Sequence, residues 1–288
     1  PSNSRVVINL APADVRKEGA GYDLPMAIGM YIASEALKAI DLNDALFVGE
    51  LALDGSLRHT TGILPVAIFA AARGYKRLFV PSVNAEEASL IRELTVYPVA
   101  SLGQLIEHLL GQNAITPTPP QDVSTWFQNH EFEMDMAYVK GQEFVKRALE
   151  IAAAGAHNIL LSGPPGSGKT LLARTLPSIL PKMTVVEAIE VTKIYSVAGL
   201  LPDNRPLIVE RPFRSPHHSA SGVALVGGGN FPRPGEISLA HRGVVFVDAG
   251  QGWYNNIDDS KLRKDAGVGL RATITLASFL EKALFRFD

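Results

Sequence analysis

The spacing of apolar positions changes from segment to segment along the chain, and each spacing predicts an element. Residues 25–36, 64–72 and 85–94 carry apolar side chains in helical patterns, whereas 45–48 and 77–80 look like strands. Together they predict a mixed α and β domain of ordinary size. The pattern breaks over residues 112–122, where Pro117, Pro119 and Pro120 stand among polar side chains; such a stretch suits neither a helix nor a central strand and reads as a linker.

Beyond the linker, residues 141–155 place Val145, Ala148, Leu149 and Ala152 on one helical stripe that would pack against a sheet. Residues 157–162 read as a short buried strand, 171–176 as a helix running to Pro177, and 206–209 and 243–247 as further strands. The last is a continuous apolar run, as in a parallel sheet covered on both faces. This order predicts an α/β fold with a doubly wound nucleotide-binding sheet in the second part. The texture then changes. Residues 268–276 and 283–288 alternate with period two, and Arg286 lies between Phe285 and Phe287, closer to outer-membrane barrel strands than to a helical lid. Residues 249–288 are therefore expected to be a divergent tail, either unrelated sequence joined just after Asp248 or, as the rival account, the continuation of a divergent family member.

Composition narrows the function classes. The 288 residues are 47% hydrophobic and 19% charged, with 27 basic against 29 acidic side chains, so no global positive field points to nucleic acid. The absence of cysteine removes disulfides, thiol catalysis and cysteine-ligated zinc. No apolar run reaches the length of a membrane span and no signal peptide opens the chain, so a cytoplasmic protein without membrane contact is expected. The chain begins at Pro1, and residues 5–10 look like a strand in mid-domain, which suggests a fragment.

The candidate chemistry centres on Gly163-Pro164-Pro165-Gly166-Ser167-Gly168-Lys169-Thr170, which lies between the expected strand and the expected helix. Glycines at these positions let consecutive backbone N–H groups turn inward on a polyphosphate, and the following helix adds the positive end of its dipole. Lys169 would reach the β and γ phosphates and the Thr170 hydroxyl would hold Mg²⁺. A second element ends the apolar run at 243–247 with Asp248, a carboxylate carried to a sheet edge where it can hold Mg²⁺ or its water. ATP and Mg²⁺ are the cofactors these residues imply, with Lys169 and Asp248 as the catalytic pair. His217 and His218 do not read as a metal site, because adjacent side chains on an extended segment point to opposite faces.

Residues 135–248 resemble the magnesium chelatase-like AAA+ ATPases of the YifB/ComM family. The resemblance rests on Val139-Lys140-Gly141-Gln142, residues 148–155, the phosphate loop, Pro212-Phe213-Arg214-Ser215-Pro216-His217-His218, and residues 232–243 from Pro232-Arg233-Pro234-Gly235-Glu236 to His241-Arg242-Gly243. It implies adenine lying near Val139 and Gln142, a flexible insertion over 219–234, and a homo-oligomeric ring, commonly a hexamer, with ATP between subunits. Relatives of this kind usually follow the Asp248 position with a glutamate that orients the attacking water. Here Ala249 stands there, and neither a sensor residue nor a helical lid follows.

The front of the chain resembles a Lon-protease-like domain, on Asn9-Leu10-Ala11-Pro12, Lys17-Glu18-Gly19, Tyr22-Asp23-Leu24-Pro25, Val48-Gly49-Glu50-Leu51 and Gly74-Tyr75-Lys76-Arg77. On that resemblance the nucleophilic serine position falls at Gly21, and the helix at 62–73 has no lysine, so covalent peptide hydrolysis lacks its agents. The expected organisation is a partial, non-proteolytic Lon-like α+β domain at 1–111, a Pro-rich linker at 112–134, a truncated AAA+ domain at 135–248 and the tail at 249–288. The resemblance implies a motor subunit that couples ATP hydrolysis to remodelling or translocation of a macromolecule, with DNA as substrate in ComM-like branch migration and recombination. Ala249 keeps open a second class, a non-hydrolysing assembly module in which ATP joins subunits.

Overall fold

The computed structural model describes residues 7–10, 20–34, 40–127, 132–164, 166–202, 206–217, 219–229 and 232–248. They group into two units, one from Pro1–Thr125 and Thr192–Ile208, the other from Trp126–Val191 and Val209–Asp288. Thr192–Ile208 thus counts with the first unit although it follows the phosphate loop in sequence.

In the first unit, helix α1 (Asp23–Ala33) buries Leu24 and Ile28. Strand β1 (Ala45–Phe47) follows, then the short antiparallel pair β2 (Glu50–Leu51) and β3 (Leu57–Arg58). Helix α2 (Ile63–Ala72), strand β4 (Arg77–Pro81), the single turn α3 (Ala85–Ala88), strand β5 (Thr95–Val99) and helix α4 (Leu102–Leu109) complete the order. The sheet runs β1-β4-β5, parallel throughout, with Phe47 opposite Phe79 and Phe79 opposite Tyr97.

The pleat of β4 explains the layers. Leu78 and Val80 point to one face, where they pack with Ile63, Ala67 and Ala70 of α2 and Ala85 and Ala88 of α3. Phe79 points to the other, with Leu24, Ile28 and Leu105. All three β4 residues are fully buried. A strand covered on both faces reads as an uninterrupted apolar run, which is why its pattern was visible. On the second face Phe47, Phe79 and Tyr97 stack with centroids 4.7 Å apart at each step.

Buried polar atoms in this unit are paired. Glu87 accepts from the Leu64 backbone N–H (2.9 Å), the Ser196 hydroxyl (2.5 Å) and the Asn84 amide (3.2 Å), while the Asn84 oxygen accepts from the Thr60 N–H at 2.9 Å. Leu64 lies in the first turn of α2, so the Glu87 carboxylate satisfies one of the helix's free donors.

Two expectations need correction here. The helix expected over 85–94 is a 3₁₀ turn (Ser82–Asn84) and α3 alone, and β5, which the pattern did not predict, begins right after it. Pro98 lies inside β5, but β5 pairs with β4 on one side only among the described residues and meets Thr118 through an isolated bridge at Val96, so the missing N–H is tolerated. Residues 7–10 carry no strand assignment, and Arg5 and Val6 lie outside the described residues.

The second unit opens with helix α5 (Glu143–Gly155), bounded by Gln142 and Ala156 in the left-handed region at φ 58° and 52°. Helix α6 (Lys169–Ile179) follows the loop, and α7 (Val185–Ala198) is entered through a reciprocal cap between Thr184 and Glu187, its residues from Thr192 onward counting with the first unit. Strand β6 (Phe213–Arg214), helix α8 (Gly222–Val226), strands β7 (Gly227–Gly228) and β8 (Arg233–Pro234), helix α9 (Glu236–Leu239) and strand β9 (Val244–Val245) end the described part. β6 pairs parallel with β9, and β7 antiparallel with β8.

The doubly wound sheet is thus reduced, among the described residues, to one parallel pair and one hairpin. Residues 157–162 form no strand, with Ile159 and Leu161 on the Met136–Leu149–Leu172 cluster and Leu160 61% exposed. Residues 206–209 form no strand either. The run at 243–247 is one-sided, since Val245 and Val247 are exposed. Helix α6 also continues through Pro177 to Ile179, because a proline in a last turn forfeits one hydrogen bond without ending the helix. The alternation at 268–276 and 283–288 lies outside the described residues.

Candidate nucleotide-binding site

Local backbone chemistry builds the phosphate loop. Gly166 (φ 79°) and Gly168 (φ 85°) occupy the left-handed region, where a side chain would be strained, and their turns bring the chain from residue 164 to the first residue of α6. The Ser167 N–H donates to the Pro164 carbonyl at 3.3 Å. Lys169 folds back over the loop, its Nζ donating to the carbonyls of Gly163 and Pro164 at 2.9 Å each. A cation held by backbone carbonyls, at the N-terminus of an eleven-residue helix, is an arrangement that can exchange those weak neutral acceptors for an anion. Thr170, the next residue of α6, is exposed, so its hydroxyl is open to a hard cation.

These bonds gather Gly163, Pro164, Ser167 and Lys169, with Gly166, Gly168 and Thr170 in the same turn. Pro165 lies outside the described residues. Val139 packs in the cluster that Ile159 and Leu161 enter, and Gln142 precedes α5 in a left-handed conformation, its backbone carbonyl accepting the Lys146 N–H at 2.9 Å.

Asp248 is placed differently, by the segment that β9 opens. Val244 N–H donates to the Pro212 carbonyl at 2.7 Å and Phe246 N–H to the Arg214 carbonyl at 2.8 Å, and the Phe213 and Phe246 rings stack at 6.0 Å. Asp248 follows, exposed. Among the described residues no group of three or more His, Asp or Glu could hold a metal ion; Asp248 and the Thr170 hydroxyl are single oxygen donors of the hard kind that Mg²⁺ takes alongside phosphate. Ala249 lies outside the described residues.

Glycines explain the turns that lead into α9 and β9. A Cβ on Gly243 would overlap the Pro212 carbonyl oxygen, and one on Gly235 would lie 2.6 Å from the Leu225 carbonyl oxygen. Only glycine permits this backbone approach.

The charged residues of these segments pair with one another. Arg214 donates to Glu236 through Nε (2.6 Å) and Nη2 (2.8 Å), which holds the Glu236 carboxyl below the usual carboxylate range against the opposing effect of burial. Arg242, at φ 61°, meets Glu190 at 3.0 Å and Glu187 at 3.5 Å, and Arg211 donates to the Arg242 carbonyl at 2.7 Å. The Thr184 N–H, first, and the two arginines lower the Glu187 pKa; Arg242 and then His241 lower that of Glu190. Arg214 and Arg242 are thus engaged by carboxylates. His217 Nδ1 meets the Ser219 hydroxyl at 2.6 Å, and His218 lies outside the described residues.

The sequence model described as magnesium chelatase, subunit ChlI, matches residues 135–265, and a second, described as subunit ChlI of Mg-chelatase, matches residues 1–84. Competence protein ComM of Haemophilus influenzae is 47% identical over 85% of this chain and 48% of its own length. YifB of Escherichia coli K12 is 45% identical over 85% of this chain and 47% of its own. The chain belongs to the magnesium chelatase-like ComM/YifB family. It spans about half the length of these curated relatives. The likeness extends to a wider AAA+ group: the ATP-dependent Clp protease ATP-binding subunit ClpX of Treponema denticola is 31% identical over 38% of this chain and 26% of its own length. The ChlI match also runs past Asp248 to residue 265.

Family membership accords with an ATPase-type protein, and no helix among the described residues is long and apolar enough to cross a membrane. Sequence reasoning passed over Glu187, Glu190 and Glu236 in this ComM/YifB-family chain. Their arginine partners lie 22 to 55 residues away, so only the Glu187 capping pattern had a local signature.

Proposed function

We propose that this chain is the ATP-binding part of a chelatase-like AAA+ motor subunit. Gly163, Pro164, Pro165, Gly166, Ser167 and Gly168 cradle the triphosphate, Lys169 holds its β and γ phosphates, Thr170 and Asp248 hold Mg²⁺, and Val139 and Gln142 border the adenine. The observation that carries this is the Lys169 ammonium folded over a left-handed glycine loop at a helix N-terminus. Bound Mg²⁺ would neutralise charge developing between the β and γ phosphates. The chain's own part is to orient the phosphates and exclude disordered water at the loop.

The motor would act in a ring of like subunits, commonly six, in the cytoplasm, and would remodel or translocate DNA; similarity to a competence protein, ComM, supports that substrate class. The first unit serves as a Lon-like module without proteolysis. Its α2 has no lysine, and Gly21 has no side chain where a nucleophile would be needed. Ala249 favours a second reading, in which ATP joins subunits and no turnover occurs, since a methyl group cannot polarise water.

Phosphate release from ATP, with and without single-stranded DNA, separates the two. The motor reading predicts release above a Lys169→Ala background and a further rise with DNA. Equal release by the two proteins excludes the motor for this chain.

A further inference from the structure

The ladder alone holds Asp248 weakly. β9 is two residues long and pairs only with β6 among the described residues, yet the residue after Val247 has to be placed to a fraction of an ångström if it is to reach a metal. Something beyond two rungs must hold the strand. The side chain of Arg214 is in the right place for this, because its own carbonyl forms the rung nearest Asp248, accepting the Phe246 N–H at 2.8 Å. Its guanidinium turns to Glu236 and closes a two-bond fork at 2.6 and 2.8 Å.

Glu236 is itself fixed. It opens α9, directly after Gly235, whose backbone is pressed against Leu225 and Gly227 so closely that no Cβ fits. The other end of α9 leads into Arg242 and Gly243, which Glu187, Glu190, Arg211 and Pro212 hold. Hence α9 is clamped at both ends, and the Arg214–Glu236 fork connects it to the strand pair carrying Asp248. With exposures of 30% and 25%, the pair is shielded enough to hold its geometry in solution.

We propose that Arg214 and Glu236 are positioning residues that set Asp248 for Mg²⁺. They act through β6 and β9 and touch neither metal nor nucleotide. This rests on the nucleotide reading above. Lysine cannot replace Arg214, because a point charge lacks the planar fork.

The test titrates Mg²⁺ into the full chain with a fluorescent ATP analogue, comparing the parent with Arg214→Lys, Glu236→Gln and Lys169→Ala. Both fork variants should bind the metal-free analogue as the parent does and need roughly tenfold more Mg²⁺ for half-maximal enhancement, the usual loss when an outer partner of a metal ligand is removed. Lys169→Ala should lose affinity with and without metal. The proposal is overturned if both fork variants keep the parent's Mg²⁺ dependence, if metal-free affinity falls in parallel, or if both variants unfold at the assay temperature, which would make the pair structural only. A parent that binds no analogue, or a Lys169→Ala protein that binds like the parent, fails the nucleotide reading instead.

Discussion

Two glycines with opposite surroundings show how much one methyl group decides. Gly243 has the Pro212 carbonyl where a Cβ would go, whereas Gly29, in the middle of α1, has nothing within 4 Å. Gly243→Ala should therefore destabilise the protein by about 2 kcal/mol through forced displacement of β6 or β9, and Gly29→Ala should stabilise it by up to about 1 kcal/mol through the lower entropy of the unfolded chain. Chemical denaturation of the two variants checks both; equal effects would show that the turn at Gly243 has slack. His108 gives a second residue-scale prediction. Burial, first, and the charge of Arg77 lower its pKa, and its Nδ1 accepts the Ile115 N–H at 3.0 Å, which an imidazolium could not do. The unfolded state then takes up a proton before the folded state does, so stability is full above about pH 6.5 and falls as the pH drops below it. The urea midpoint should decrease between pH 7.5 and 5.5, with a smaller decrease in His108→Gln. A midpoint that rises on acidification contradicts the assignment.

Among the elements, α2 depends on a partner far from it in sequence. Glu87 joins the Leu64 N–H, Asn84 and Ser196, so Glu87→Ala strands three polar groups in the interior and should cost about 3 kcal/mol of stability. Glu87→Gln, which keeps an acceptor, should cost less. Such pairings mark the boundary of what the residue pattern reveals. β4 was legible because both its faces are covered and Leu78, Phe79 and Val80 are all apolar, and the phosphate loop because left-handed backbone demands glycine at Gly166 and Gly168. β5 was hidden by Pro98, which is tolerable only on a strand with one full neighbour. The expected strand at 157–162 looked continuous in apolar character, but Leu160 faces solvent and only Ile159 and Leu161 pack inward. The Arg214–Glu236 fork left no trace at all, since 22 residues and a hairpin separate its members.

For the whole molecule, two units, a family and about half the length of the curated relatives frame the functional claim. The proposed ring assembly, action on DNA and turnover would all require nucleotide to enter the loop first. Everything proposed for the chain passes through the Lys169 ammonium, whose two carbonyl acceptors would give way to phosphate. The most direct measurement is the titration of the folded chain with a fluorescent ATP analogue, alongside Lys169→Ala. The account predicts saturable, Mg²⁺-assisted binding that weakens by roughly 10- to 100-fold in the variant, the equivalent of a lost charge-assisted hydrogen bond. Absence of saturable binding, or the same affinity in both proteins, would contradict it.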